Sequence, residues 1–436
     1  VQEFSVLIIG AGASGLAAGL ALSKQRYSVG ILEGRNYVGG RACTILTGKD
    51  DIPIELGAEF IHGTRNSTWP LLRRNHVATH AVPDRHWMLE AGKWREDKKF
   101  WQNLDSVMGR INPKKRDQSF ASFLKEQKDL SEKSRALTLD YVEGFHAAPA
   151  ERIGTRALGL AAKASEQNQE THAFRISKGY SFFFQKLERD LRKRGAEVFL
   201  RTVVRRVHWE PGMVLVEALT DSGPIEFAAP KLIITLPLGV LKHAGTASVE
   251  FDPFLAQKSR AIRDLEMGSV TKITLQFHEQ IWPTRNFGFL HLDSEWFPTW
   301  WADKRGPILT AWSGGPRSEW LANETSDSII GEAIQSVARI CGRSVREVEK
   351  SLAGAYYHDW KRDPFSNGAY SFTPVGRTSA PRELGQPLAN TLFFAGEATN
   401  AEGDQGTIQA AISSGFRVAR EIIGGRKKVR TRVGAL

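Results

Sequence analysis

Gly10, Gly12 and Gly15 stand in G-x-G-x-x-G spacing within VLIIGAGASGL, with Ala13 and Ser14 between the last two. The first glycine permits a tight turn, the second lets a pyrophosphate approach the backbone, and the third lets a helix pack closely on a strand. The amino terminus of that helix then faces the phosphates. Glu33 closes the next apolar run, SVGILE. A carboxylate there accepts both hydroxyls of an adenosine ribose and repels a 2′-phosphate. Together these residues read as a dinucleotide site. Lys272, in GSVTKITLQF, is a different kind of candidate. From Thr271 the stretch alternates, with Ile273, Leu275 and Phe277 on one face and Lys272, Thr274 and Gln276 on the other, as in a half-buried strand. Taken alone, such a lysine points to solvent.

Elements must hold these groups in place. Val6–Ile9 reads as a buried parallel strand leading into an Ala/Leu-rich helix. Directly after Glu33, GRNYVGGRA supplies Gly34, Arg35, Gly39, Gly40 and Arg41, which suits an extended cofactor whose pyrophosphate is neutralised from a second side. Near the other end, ANTLFFAGEATNAEGDQGTIQAAISSGFRVAREI contains an apolar strand at 392–395, then Gly396 and Glu397, then a loop and a helix opening at Gly406 and Thr407. A helix amino terminus aimed at a flavin pyrimidine stabilises the negative charge that develops on reduction. A nicotinamide site has no such need, so the expected cofactor is FAD. Both ends of the chain then serve one cofactor. The expected fold is α/β: a Rossmann-like FAD-binding domain, discontinuous in sequence, with an α+β substrate domain of mixed sheet plus helices. The first is assigned 1–75, 195–250 and 385–424, the second 76–194 and 251–384, and 425–436 is a basic tail.

Bulk properties narrow the class. The 436 residues exceed one ordinary core, and 41% hydrophobic with 25% charged residues is usual for a globular enzyme. No apolar run approaches the roughly 20 residues of a bilayer span. Two cysteines, Cys43 and Cys341, exclude a disulfide scaffold and point to a reducing, cytoplasmic setting, with a leader removed before residue 1 left open. His76 and His80 in HVATH have the spacing of one helical face, but no third ligand is near and no metal is expected. The net charge of +11 comes partly from GGRKKVRTRVGAL, and no nucleic-acid motif accompanies it.

The pairing of GAGASGL…LEGRNYVGGR with LFFAGEAT…GTIQAAISSGFRVA resembles the flavin-containing amine oxidase family of monoamine oxidases, polyamine oxidases and related histone demethylases. IELGAEFIHG resembles the segment beneath the flavin, which implies roles for Gly57, Ala58, Glu59 and Phe60. FLRTVVRRVHW resembles the strand that holds the adenine, with Val204 at the contact, and LIITLPLGVL and WKRDPFSNGAYSFTPVG follow in family order. The resemblance places Lys272 beside flavin N5 through a water. Burial there would lower its pKa, and its charge would assist electron transfer to oxygen. It also implies Trp360 and Tyr370 as aromatic walls for the amine, whose cation an aromatic face attracts.

Two departures favour the polyamine oxidase branch. Ala369 replaces the flavin-linked cysteine of monoamine oxidases, so FAD is expected to be non-covalent, and Thr407 replaces their second cage tyrosine. His62 matches a substrate-side histidine of that branch. The implied reaction takes hydride from the amine α-carbon to flavin N5, then hydrolyses the imine and reduces oxygen to hydrogen peroxide. The expected partners are a small amine and oxygen, with oligomeric state open. Glu59, Glu143, Glu402 and Asp404 are candidates for the distal cations of a polyamine. The alternative is a flavin L-amino-acid oxidase, which needs a cavity arginine such as Arg175 or Arg317. A flavoprotein acting on a lipid leaves Lys272 and Tyr370 unexplained. No coiled-coil insertion of the histone demethylase kind is present.

Overall fold

The computed structural model of the protein describes residues 1–47, 51–284, 287–293 and 295–433, with side chains of the last helix described as far as Gly425. Five short apolar runs form one parallel sheet, in the order Glu197–Phe199, Val29–Leu32, Val6–Ile9, Leu232–Ile234, Leu392–Phe394. Continuous apolar runs are what a sheet covered on both faces requires. Val6 and Ile8 pack into one core with Leu16, Leu187 and Ile412 from helices Ala13–Lys24, Gly179–Lys193 and Ile408–Val433. Leu7 and Ile9 point the other way, into a core shared with Val207, Val216 and Phe227 of a second sheet. That sheet is built on strands Val203–Glu210, Met213–Thr220 and Gly223–Ala229.

Lys272 lies on strand Val270–Phe277, second in a seven-stranded sheet between Leu352–Tyr357 and Ile308–Gly314. The strand is buried along both faces, not half-buried as the alternation suggested. On one side Ile273 and Leu275 pack against Ile329, Ala333 and Val337 of helix Ser326–Cys341, which the Thr325 side chain caps. The other face, with Lys272, turns toward a cavity. Three helices, Phe120–Glu126, Glu132–His146 and Thr155–Asn168, supply the helical insert and share a core of Phe120, Val142 and Leu158.

Two further expectations change. His76 and His80 do not share a helical face, because helix Thr68–Arg74 has already ended, His76 has φ +49° and His80 lies in strand Thr79–Ala81. Helix Gly179–Lys193 packs with the first helix and the nucleotide-type sheet. We therefore propose that it belongs with the cofactor domain, ahead of the boundary set at 195. Of the basic tail, the side chains of 426–433 and all of 434–436 lie outside the described residues. No described helix is long and apolar enough to cross a membrane.

The first and last helices approach so closely that a Cβ on Gly415 would lie 2.2 Å from the Ser14 carbonyl oxygen. Gly415→Ala is expected to cost about 2–3 kcal/mol through overpacking. Gly424→Ala, nine residues along the same helix with open space around it, should be neutral or slightly stabilising. Thermal unfolding of the two variants separates packing from helix propensity.

Candidate active site

A single cavity of about 1580 Å³ runs from the glycine turn after the first strand to the face that carries Lys272. Every residue expected on cofactor grounds lines it except Gly15. Gly15 instead sits where a Cβ would lie 2.0 Å from the Gly10 carbonyl oxygen, which is the tight helix–strand packing read from the motif. Gly10 has φ +100°. A Cβ on Gly12 or Gly396 would meet nothing within 4 Å, so both present bare backbone to the cavity. This is a cradle shaped for close approach of a polyanion.

Glu33 is buried at the end of its strand and accepts N–H bonds from Ala11 at 2.8 Å and Arg35 at 2.9 Å. Burial pushes its pKa up, against these two donors. Each carboxylate oxygen still has a lone pair for a ribose hydroxyl. The opposite end of the chain is tied in by hydroxyls. Ser14 Oγ lies 3.2 Å from Ser414 Oγ, which accepts the Gly396 N–H at 2.8 Å. Thr407 Oγ accepts the Ala410 N–H and so caps the last helix, whose amino terminus opens on the cavity. The residues present fit a dinucleotide with its pyrophosphate over the glycines and its ribose at Glu33.

The two arginines after Glu33 have other partners. Arg35 forms a bidentate pair with Asp363 at 2.8 and 2.7 Å and also donates to Ser366. Its guanidinium therefore braces the loop that carries Trp360, and the residue also lines the cavity. Arg41 donates to the Ala369 carbonyl at 2.7 Å and to Glu397 at 3.1 Å. Glu397 also accepts from Ser371 Oγ at 2.6 Å and from the Gly406 N–H at 3.0 Å. That one carboxylate fixes the chain beside Tyr370 to the start of the last helix.

Lys272 is not a lone amine. Its Nζ is 2.7 Å from Glu59 Oε2 and donates to the Gly57 carbonyl at 2.9 Å. Glu59 Oε1 accepts from Arg175 Nε at 2.7 Å and from Trp301 Nε1 at 3.0 Å. Burial alone would push the Glu59 pKa up, but Lys272 and Arg175 outweigh it and hold the carboxyl below its usual range. Glu59 is thus consumed inside the protein and is not a free carboxylate for a distal substrate cation. Arg175 is consumed with it, and Arg317 pairs with Asp140 at 2.8 Å. Neither arginine lines the cavity, which removes the carboxylate anchor of the amino-acid oxidase alternative. Glu143 and Glu402 do not line it either, and Glu143 accepts the Ala150 N–H.

The aromatic residues do meet in the cavity. Trp360 Nε1 donates to the Leu56 carbonyl at 2.9 Å, and Tyr370 OH donates to the Phe145 carbonyl at 2.7 Å. His62 packs edge-on to Phe60 and Phe145, and burial lowers its pKa to about 4, so it is neutral near pH 7. Asp404 remains in the wall, near Glu170. The Asn168 amide donates to both, and neither has a cationic partner among the described residues. Burial first, and then Glu170, push the Asp404 pKa up to about 6. Trp301 and Glu170 escaped the sequence reading. Trp301 could have been found from the alternation in TWWAD, but nothing local marks Glu170.

A sequence model of the flavin containing amine oxidoreductases matches residues 13–423 of this chain. The chain is 26% identical to lysine-specific histone demethylase 2 of Homo sapiens, over 96% of this chain and 53% of that protein. It is 26% identical to polyamine oxidase 2 of Arabidopsis thaliana, over 99% of this chain and 90% of that protein. It therefore spans about half the length of the human histone demethylase and nearly all of the polyamine oxidase. Among solved structures, putrescine oxidase bound to putrescine superposes with a TM-score of 0.80 at 21% identity, covering 97% of this chain and 99% of that one. Cyclohexylamine oxidase from Brevibacterium oxydans gives 0.80 at 17% identity, covering 98% and 100%. At these identities the two structures establish the fold.

Glu59→Gln keeps the shape and the hydrogen-bonding oxygen but removes the carboxylate that Lys272 and Arg175 pair with directly. The expected loss is about 3–5 kcal/mol in denaturant unfolding. Adding Lys272→Met to that variant should recover part of it, because the two sites are coupled.

Proposed function

The chain belongs to the flavin-containing amine oxidoreductase family, and we propose that it oxidises a linear di- or polyamine, with non-covalent FAD as its flavin and oxygen as the final acceptor. One observation carries the substrate class. The protein has a net charge of +11, yet carboxylates outnumber Lys and Arg thirteen to four among the residues that line the cavity. Local potential, not the total, decides which ligand enters a cleft. Asp105, Glu170 and Asp404 line it with no cationic partner among the described residues.

When bound, the flavin supplies a two-electron acceptor for the α-carbon hydrogen and passes the electrons to oxygen. The chain's own residues do the rest. The acidic wall draws in the ammonium form, and neutral His62 adds no repulsion on the way. Trp360 and Tyr370, each pinned through its polar tip, narrow the space available to the amine and keep water out. Glu59 and the Gly57 carbonyl hold the Lys272 Nζ in a fixed place. A fixed cation there favours negative charge developing on reduced oxygen. Asp404, joined by Glu170, is assigned to the distal cation of the substrate, since neither has a cationic partner among the described residues.

The yellow protein should release peroxide with diamines or polyamines and not with L-amino acids. Lys272→Met should slow reoxidation of the reduced flavin by oxygen at least tenfold more than it slows anaerobic reduction, measured by stopped flow. Turnover of L-amino acids alone would sink this reading. Asp404 titrates at about 6 in the free protein, and its raised pKa means the attracting charge is present above that pH and lost below it. KM for a polyamine should therefore rise as pH falls through 6, and Asp404→Asn should raise KM and flatten that limb.

A further inference from the structure

The sheet that carries Lys272 holds, three strands away, a histidine pair that the flavin chemistry leaves unused. Lys272 is paired with Trp312, Trp312 with Thr299, and Thr299 with His291. Directly opposed residues share one face of a sheet. These four side chains therefore form a single row, and all four line the cavity. At the usual strand spacing the row spans about 14 Å from Lys272 to His291.

His291 and His86 are coplanar within 6°, with His291 Nε2 at 2.9 Å from His86 Nδ1. Phe100 stacks on both rings, at 3.8 Å from His86 and 4.6 Å from His291. His86 Nε2 faces Asp84 Oδ1 at 3.3 Å, and the same oxygen accepts Trp101 Nε1–H at 2.8 Å. An ionised carboxylate only accepts, so His86 carries a proton on Nε2, and as a neutral imidazole it offers Nδ1 as an acceptor. His291 then donates its Nε2–H to that nitrogen, which leaves Nδ1 of His291 as a bare lone pair. Among the described residues Nδ1 has no hydrogen-bond partner, and it is not sealed off from the cavity. Burial lowers the His291 pKa to about 3, so the ring is neutral near pH 7.

We propose that His291 Nδ1 anchors the distal nitrogen of a linear di- or polyamine and so sets the length of substrate the cavity prefers. The inference rests on the amine-oxidase reading and deepens it. The acidic wall attracts cations without direction, whereas one lone pair at one place in the row accepts an N–H only from a chain of matching length. Asp84 acts through His86 as a positioning residue, because it fixes the tautomer that exposes the lone pair.

The test is peroxide release by the flavoprotein with a series of α,ω-diamines of increasing length and with the matching monoalkylamines. Wild type should show a sharp minimum of KM at one diamine length, with no such minimum among the monoalkylamines. His291→Phe keeps a flat ring against Phe100 but has no acceptor. It should raise KM at that length by roughly 10- to 100-fold, the value of one hydrogen bond to a charged donor, with little change in kcat. His291→Gln, which restores an acceptor, should recover part of the minimum. Should the phenylalanine variant bind no flavin, His291→Met removes the same acceptor with a flexible filler and is read in the same way. An intact diamine minimum in these variants would overturn the proposal, as would an equal rise of KM for monoalkylamines. Turnover of amines with no length preference in wild type would sink this proposal alone. No turnover of any amine would sink the amine-oxidase reading with it.

Discussion

A carboxylate held between two cations in a dry interior is costly to build, and the arrangement around Glu59 is organised to make it tolerable. Taking three charges from water is repaid only when geometry is good and the remaining hydrogen-bond capacity is filled. Here Lys272 and Arg175 approach separate oxygens, and Trp301 adds a third donor. The contacts come from four separated stretches of chain: the loop at 57–60, strand Ala173–Ile176, strand Val270–Phe277 and strand Thr299–Asp303. None of the four can shift without leaving a buried charge bare. The pair therefore fixes the height of the lysine strand over the cavity and, with it, the position of the ammonium that the proposed oxygen step uses.

Close approach does for the cofactor side what charge does for the substrate side. The first and last helices touch through Gly415 against the Ser14 carbonyl, and serine hydroxyls link both to the end of the last strand. Small residues matter because the phosphate cradle must be backbone, with no side chain between it and a ligand. Glu397 extends the same logic outward by holding Arg41, Ser371 and Gly406 at once. A single buried carboxylate with several donors is a stiffer joint than the same bonds made separately, since none can break without exposing an unpaired charge.

Charge distribution separates the exterior from the cavity. A basic surface and an acidic interior wall are compatible because screening confines exposed charges to about 8–10 Å, while a cleft with low-dielectric walls focuses its own field. The unpaired carboxylates near Asn168 pay for this with raised pKa values, whereas the carboxylates of Glu59 and Asp363, clasped by cations, are held low. The same residue type thus serves two ends, and only its neighbours decide which.

Much was legible in the sequence where a function depends on local backbone. The turn at Gly10, the acid at Glu33, the helix opening after Thr407 and the α/β class follow from spacing and periodicity, because the residues concerned are close in the chain and the chemistry needs particular types there. What each long side chain touches was not legible. That Arg35 braces Asp363 was not visible; Glu59 stood among the candidates for a substrate cation and neutralises Lys272 and Arg175. Strand alternation gave the face of Lys272 correctly, but the burial of both faces came from a helix and a cavity wall far away in sequence. The row from Lys272 to His291 exists only through the register of four paired strands. A sequence by itself determines which groups a backbone can present; ion pairs and cross-strand neighbours join residues hundreds of positions apart, and only the folded chain decides which of them meet.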